Sequence, residues 1–449
     1  MAPYDLRQIA RLLHVKCSGA RRIKGFRIDS RQVSRGDLFF ALKGQKVDGH
    51  DFLQDVASQG AVAAVVDRTY TGPDHGLTLL RVVDVVEALQ SLARHRMERH
   101  PAKIVAVTGS IGKTTTKEFL HKILRQKFCV SASKGNHNSQ VGLPLTILND
   151  LGDNEEVLVL EMGMTKPGHI SQLLSIAPAD IAVITRVALA HAESYDSLEH
   201  IARTKAEIFS HPRTRLGILH RDIPNYQELQ TIGGCRKVSF STSNNSADFS
   251  LVHNAEGIVV TANGQEHILP ALPFLGQHHE HNLLAAIATA VSLGVDWEQI
   301  AKAIPELTLP ERRMQLVDKD GILFINDSYN ACEDSIKAAL EHLPAPQPNG
   351  RKIAVLGNMP ELGKFSDECH RQVGQYALDR VDAVFCFGAE CQPIVDLWNQ
   401  QKRPAQIFSD KRQLIEALQS FLKPGDVALV KGANSKKMWE ILDEIVLPR

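Results

Sequence analysis

The 449-residue chain is longer than one hydrophobic core normally organises, and at roughly 150 residues per domain it is expected to hold about three domains. Its 51 Lys and Arg balance 51 Asp and Glu, and 43% of its residues are hydrophobic, so no charge excess favours nucleic acid or a membrane surface as a partner. No apolar run reaches the roughly 18 residues of a membrane helix, charge interrupts the opening "MAPYDLRQIARLLHVKCSG", and the seven scattered cysteines lack a C-x-x-C pair, so a cytoplasmic protein with reduced structural thiols is expected.

Along the chain, "DLFFAL" and "AVAAVVD" read as short strands, and the later part of "LLRVVDVVEALQSLARHRMERH" has the apolar spacing of a helix ending near Pro101. From Lys103 the order becomes strand, glycine loop, helix. The runs "VLVLEMG", "IAVITRV" and "LGILH" then recur between helical stretches, as a buried parallel sheet requires. After "LTLPERRMQ" a new block opens. Its candidate strands are "GILFIND", "KIAVLG", "AVFCFG" and "DVALVKG", separated by helix-length segments such as Asp410 to Leu422. The expected fold is α/β in three domains. These are an N-terminal domain over 1–100, a central parallel-sheet P-loop ATPase-like domain over 101–311, and a Rossmann-like C-terminal domain over 312–449.

The segment "VAVTGSIGKTTTKEFL" nearly matches the phosphate-binding pattern G-x-x-x-x-G-K-[ST], but Val107 stands where the first glycine belongs. Gly109 and Gly112 bracket a turn between the strand "KIVAV" and the helix beginning at Lys113. Backbone N–H groups of Gly109, Ser110 and Gly112, with the positive end of the helix carrying Thr114 and Thr115, would cradle a polyphosphate. Lys113 would reach the outer phosphates and the Thr114 hydroxyl would bind magnesium, so ATP is the expected nucleotide. The bland alternative is a glycine turn before a structural helix.

The loop "TGSIGKTT" is followed or preceded, in order, by "DSRQVSRGDLFFALKGQKVDGHDF", "GNHNSQVGLPLTIL", "EMGMTKPGHI", "LPFLGQHHEHNLLAA", "INDSYNACEDS", "LGNMPELG" and "KGANSKKM". Together these resemble the Mur ligase family nearly end to end. That family carries a T-G-[ST]-x-G-K-[ST]-[ST] loop without the first glycine, which accounts for Val107. The forms "EMGM" and "DSYNA" fit its dipeptide-adding branch better than the branch that adds the third stem residue, whose D-N-P-R signature is absent. The resemblance implies ATP-dependent ligation of D-alanyl-D-alanine to UDP-N-acetylmuramoyl-tripeptide through an acyl phosphate, in cytoplasmic peptidoglycan precursor synthesis. It also implies a monomer using two Mg2+ ions. Alternatives are the third-residue ligase, a folate polyglutamate ligase, against which the N-terminal uridine-site signature argues, and a non-catalytic ATP-gated binding protein. The last is motivated by departures from the family pattern at Arg186, His279 and Asn358.

Glu161 ends the run "VLVLEMG", so its carboxylate is expected at the C-terminal edge of the sheet beside the P-loop; a solvated rim charge or a helix cap is the other reading. By resemblance it shares a magnesium with Thr114. His191, in "ALAHAES", reads as a surface loop histidine by itself and by resemblance helps hold a second magnesium. Lys205, in "ARTKAEIF", has Ile201, Ala202, Ile208 and Phe209 as its helical neighbours, so no local ion pair is on offer, and simple exposure is the plain alternative. The resemblance implies a carbamylated lysine there.

The same resemblance assigns nucleotide contacts to Asn282, Arg313, Asp327 and Asn330. His279 replaces an asparagine beside His278, Arg312 replaces a glycine, and Arg186 and Leu189 replace an asparagine and a proline. It assigns the UDP end of the substrate to Ser30 and Arg31 of "DSR" and to Asp48, Gly49 and His50 of "DGH". Asn136 and Asn138 become substrate or nucleotide contacts, and Lys431 and Ser435 anchors for the incoming dipeptide. Read alone, "IDSR", "GNHN" and "DSYN" are strand exits and turns.

Overall fold

A computed structural model of the chain describes residues 4–446 except 18, 45, 255, 256, 275 and 277. Three main sheets follow one another along the sequence. The first has four parallel strands, Phe26–Arg27, Leu38–Phe40, Ala63–Asp67 and Thr78–Val82, paired in that order. The helix Val85–Glu98 follows, started by Asp84, whose carboxylate accepts from the backbone N–H of Val86 and Glu87 and so satisfies two of the helix's orphan donors. This helix buries Leu89, Leu92, Ala93 and Met97 in a core shared with the next domain. Asn149 closes the same junction. Its side-chain amide accepts from Phe26 N (2.9 Å) and donates to Phe26 O (3.0 Å), pairing with the strand as a neighbouring backbone would.

The central sheet has nine strands, and its middle is the expected parallel array. Lys103–Thr108 lies between Val157–Glu161 and Ile181–Ile184, with Leu216–His220 next outward. These strands are buried on both faces, as their unbroken apolar sequences require. The helices Lys113–Leu124 and His278–Ser292 pack together on one face.

The edge of this sheet was not anticipated. Phe249–Asn254, Gly257–Ala262 and Gln265–Leu269 form an antiparallel extension. Asn263 (φ 52°) and Gly264 (φ 77°) make its second turn, the left-handed pair that a tight hairpin needs.

The third sheet runs Gln315–Lys319, Ile322–Asp327, Val427–Lys431, Lys352–Gly357, Ala383–Phe387 and Ala405–Phe408 in spatial order, parallel except at its first strand. That edge strand is also joined by a left-handed pair, Asp320 and Gly321. The expected α/β class and the central parallel P-loop sheet are what the structure contains. No helix among the described residues is long and apolar enough to cross a membrane.

Candidate active site

The strand Lys103–Thr108 delivers the chain to the C-terminal edge of the central sheet, and the helix Lys113–Leu124 carries it away, so residues 109–112 form a tight loop at a helix N-terminus. Gly112 has φ 87°, and a Cβ there would lie 2.0 Å from Asn282 Oδ1. Glycine is therefore required both by conformation and by space. Thr185 secures the loop by donating to the Ile111 carbonyl (2.6 Å), and Ser110 N donates to Arg186 O (2.7 Å) while its hydroxyl donates to Ala188 O (2.8 Å). Lys113 Nζ donates to the carbonyls of Gly109 (2.8 Å) and Ser110 (3.3 Å), which places its charge over the loop mouth. Burial holds its pKa below the usual lysine value, with Glu161 pulling the other way.

Thr114 and Glu161 meet as expected. The Thr114 hydroxyl donates to Glu161 Oε2 (2.9 Å), and Asn138 Nδ2 donates to Oε1 (2.7 Å). Glu161 is 1% exposed, so it is no solvated rim charge. Two contributors were not foreseen. Ser133 accepts from the Glu161 backbone N–H (3.0 Å), and the fully buried Lys117 donates to the carbonyls of Ser133 and Gly135 (3.0 Å to Gly135), tying down the segment that carries Asn136 and Asn138. Lys117 lies one helical turn beyond Lys113, and that spacing was the available sequence signal.

Lys113, Thr114, Asn136, Asn138 and Glu161 line one cleft of about 390 Å³, which also takes in His191 and Lys205 of the central domain and Arg313 and Asn330 of the C-terminal domain. Lys205 is 4% exposed, and its side-chain amine has no hydrogen-bond or ion-pair partner among the described residues. Burial, aided by repulsion from Lys113, pushes its pKa well below that of an ordinary lysine. A solvent-exposed side chain is thereby excluded.

The described residues contain no cluster of three or more His, Cys, Asp or Glu able to hold a metal ion. The donor set still suits magnesium, which is commonly held by one or two carboxylates together with substrate phosphates and water. Thr114 and Glu161 supply the hydroxyl and the carboxylate.

A smaller cavity of about 50 Å³ adjoins the loop at Thr115 and Asn282 and reaches His279, Arg313, Asp327 and Lys431. Asn282 Oδ1 accepts from the Thr116 hydroxyl (3.3 Å). Arg313 lies over the Tyr329 ring at 4.5 Å, and Arg312 over Trp439 at 3.9 Å. His279 is buried, with neither ring nitrogen partnered among the described residues. Burial keeps His279 neutral and pushes its neighbour His278 down to about 4.

Asp327 and Lys431 are brought to each other. Lys431 Nζ donates to Asp327 Oδ2 (2.5 Å) and to Asn330 O (3.0 Å), and Asp327 Oδ1 accepts from Met314 N (3.3 Å). Both are buried, so removing one partner strands a charge in a low dielectric. Asp327→Ala is expected to cost about 3–5 kcal/mol of stability, readable by chemical denaturation, whereas Lys431→Met with Asp327→Leu should cost much less. Equal losses in the single and double variants would show that the pair is not what matters. Ser435 lies on an exposed turn, and its neighbour Asn434 reaches the large cleft.

In the N-terminal domain the expected residues divide. Arg31 points at Asp29 through two hydrogen bonds (2.9 and 2.7 Å) on an exposed turn that includes Ser30. His50 instead bridges Asp48 (2.6 Å) and the backbone N–H of Asp67 (3.0 Å) and stacks on Tyr70, beside a separate cleft of about 530 Å³. Gly49 fits because a Cβ would lie 2.7 Å from Leu42 N.

Three family models match this chain. They are described as Mur ligase family, catalytic domain, over residues 22–97; Mur ligase middle domain, over 107–290; and Mur ligase, glutamate ligase domain, over 312–434. The chain belongs to the Mur ligase family. Among Mur ligases, a Bacillus subtilis (strain 168) protein named UDP-N-acetylmuramoyl-tripeptide--D-alanyl-D-alanine ligase is 33% identical over 431 residues, covering 94% of this chain and 93% of the relative. The Escherichia coli (strain K12) protein of the same name is 33% identical over 457 residues, covering 98% of each. A crystal structure of MurF from Acinetobacter baumannii superposes with a TM-score of 0.87 at 27% identity, over 99% of this chain and 98% of that one. The MurF ligase from Thermotoga maritima in complex with ADP gives 0.77 at 30% identity, over 94% and 97%.

Proposed function

We propose that this Mur ligase joins D-alanyl-D-alanine to UDP-N-acetylmuramoyl-tripeptide using ATP, in the cytoplasmic assembly of peptidoglycan precursor. The observation that carries the reading is the single cleft in which the P-loop, the Thr114–Glu161 pair and the partnerless Lys205 face Arg313 and Asn330 of the C-terminal domain. The names of the full-length relatives point to the same substrates.

The tripeptide carboxylate attacks the γ-phosphorus, ADP departs, and an acyl phosphate forms. The dipeptide amine then adds to the acyl carbon, phosphate leaves from the tetrahedral intermediate, and the amine loses its proton as the amide forms. Lys113 and the loop N–H groups hold the negative charge that builds on the phosphates, and fixed donors in a sheltered cleft do this without reorganising. Arg313 enters from the C-terminal domain, so closure of that domain both completes the charge balance and keeps water from the acyl phosphate.

Magnesium held by Thr114 and Glu161, with a second ion held by His191 and Lys205, would neutralise phosphate charge. For that second role Lys205 must be an anion. Its unprotonated amine is the form that adds to carbon dioxide; the new N–C bond forms, one N–H proton is released, and a carbamate remains. Burial without a partner lowers the pKa of that amine and so favours its unprotonated form. The test is the mass of the product made from ATP, tripeptide and dipeptide; ATP turnover indifferent to the dipeptide would contradict the reading.

A further inference from the structure

His191 and Glu361 meet across the boundary between the central and C-terminal domains, and both are held in a backbone conformation that side chains avoid. His191 has φ 54° and Glu361 has φ 59°. Neither is glycine, and such residues persist only where their surroundings impose the conformation. The imposing contacts are visible. Glu193 N donates to Glu361 O (2.9 Å), the short turn Ala192–Ser194 packs on the turn Gly363–Phe365, and a Cβ on Gly363 would lie 3.1 Å from Glu193 Cα. Lys364 and Asp196 add an exposed ion pair at 3.7 Å. This docking sets the Glu361 carboxylate directly on His191 Nδ1.

We propose that Glu361 is a positioning residue for His191, delivered by closure of the C-terminal domain. The inference rests on the reading of His191 as a magnesium-side residue in the ligation cleft. A neutral imidazole carries its proton on one nitrogen only, and a carboxylate at Nδ1 places it there. Nε2 then keeps its lone pair, and the ring is fixed in the wall of the cleft that also holds Lys205. A carboxylate behind a metal-facing histidine orients the ring. Domain closure thereby becomes a condition for a competent second metal site. With the C-terminal domain apart, the Glu361 contact is lost and His191 is free to rotate and to change tautomer.

Glycine is the informative substitution, because it accepts φ near +60° without strain and keeps the backbone carbonyl that binds Glu193. Glu361→Gly should fold at least as well as the parent, as read by thermal unfolding. Manganese(II), titrated in the presence of ADP and followed by EPR, should show its weaker site loosened about 10-fold or more with the stronger site unchanged. Glu361→Gln, whose amide oxygen still accepts from Nδ1 but carries no charge, should lose less. Nitrogen NMR on histidine-labelled protein, with the His191 signal assigned by its loss in His191→Asn, should show Nδ1 protonated in the parent and the other tautomer enriched in Glu361→Gly. An unchanged tautomer with unchanged manganese binding in both variants would overturn the proposal. A parent protein that binds a single manganese would also overturn the proposal, because it acts on the second site. One that forms no amide would overturn the proposed function instead, and the tautomer measurement would still decide whether Glu361 orients His191.

Discussion

Lys113→Ala is expected to lower ligation by about 10²–10³-fold or more while leaving the protein folded. Lys113 makes its hydrogen bonds to the carbonyls of its own loop and lines the cleft, so its loss opens no cavity in the hydrophobic core. On the proposed reading it removes the cation that would meet the outer phosphates, in a site where Thr114 and Glu161 are hydrogen-bonded to each other. The deficit should fall on kcat as well as on kcat/KM, because the charge it meets grows as the phosphoryl group transfers. Steady-state assays at saturating ATP check this. Turnover equal to the parent's would remove the loop from the reaction.

Lys205→Ala should likewise lose most activity, about 10²-fold or more, and a short carboxylic acid added to the assay should restore part of it by supplying an anion in the space vacated. The parent should slow in buffer stripped of carbon dioxide and recover with bicarbonate. A stability measurement gives an independent check. The folded pKa of Lys205 is depressed, so above the unfolded value of about 10.4 both states hold a neutral amine and burial carries no protonation cost. As pH falls below that value the unfolded chain takes up a proton that the folded protein refuses, and stability drops until the buried amine itself protonates. In carbon-dioxide-depleted buffer Lys205→Met should therefore unfold at a higher temperature than the parent near neutral pH, with the gain shrinking as pH approaches 10. Full activity in Lys205→Ala, with no response to added carboxylate, would take the residue out of the mechanism.

Much of this architecture can be read in the sequence because buried parallel strands announce themselves as short apolar runs. "VLVLEMG", "IAVITRV", "KIAVLG" and "DVALVKG" each coincide with a strand. The hairpin edges are legible in the same way. Asn263–Gly264 lies between "GIVVTA" and "QEHIL", and Asp320–Gly321 lies before "ILFIND"; both are turn pairs flanked by strand-forming residues. The Thr114–Glu161 contact follows from topology, since Glu161 ends one strand and Thr114 lies in the first turn of the helix that leaves the neighbouring strand. The pairing of Asp327 with Lys431 follows in the same way once the third sheet is assembled, because they are register partners ending neighbouring parallel strands although 104 positions apart. The pairing of His191 with Glu361 does not: these residues are 170 positions apart, and only the docking of one domain on another brings them together. Burial of Lys205 is of the same kind, because its own helix supplies apolar neighbours but not the walls that exclude water.

Incubating the protein with ATP, magnesium, UDP-N-acetylmuramoyl-tripeptide and either D-alanyl-D-alanine or a panel of single amino acids, and weighing the product by mass spectrometry, tests the central claim most directly. The account predicts a new species heavier than the tripeptide substrate by one D-alanyl-D-alanine less one water, formed with ADP and phosphate in equal amounts. Amide formation with a single amino acid but not with the dipeptide would contradict it, as would ADP release with no amide product.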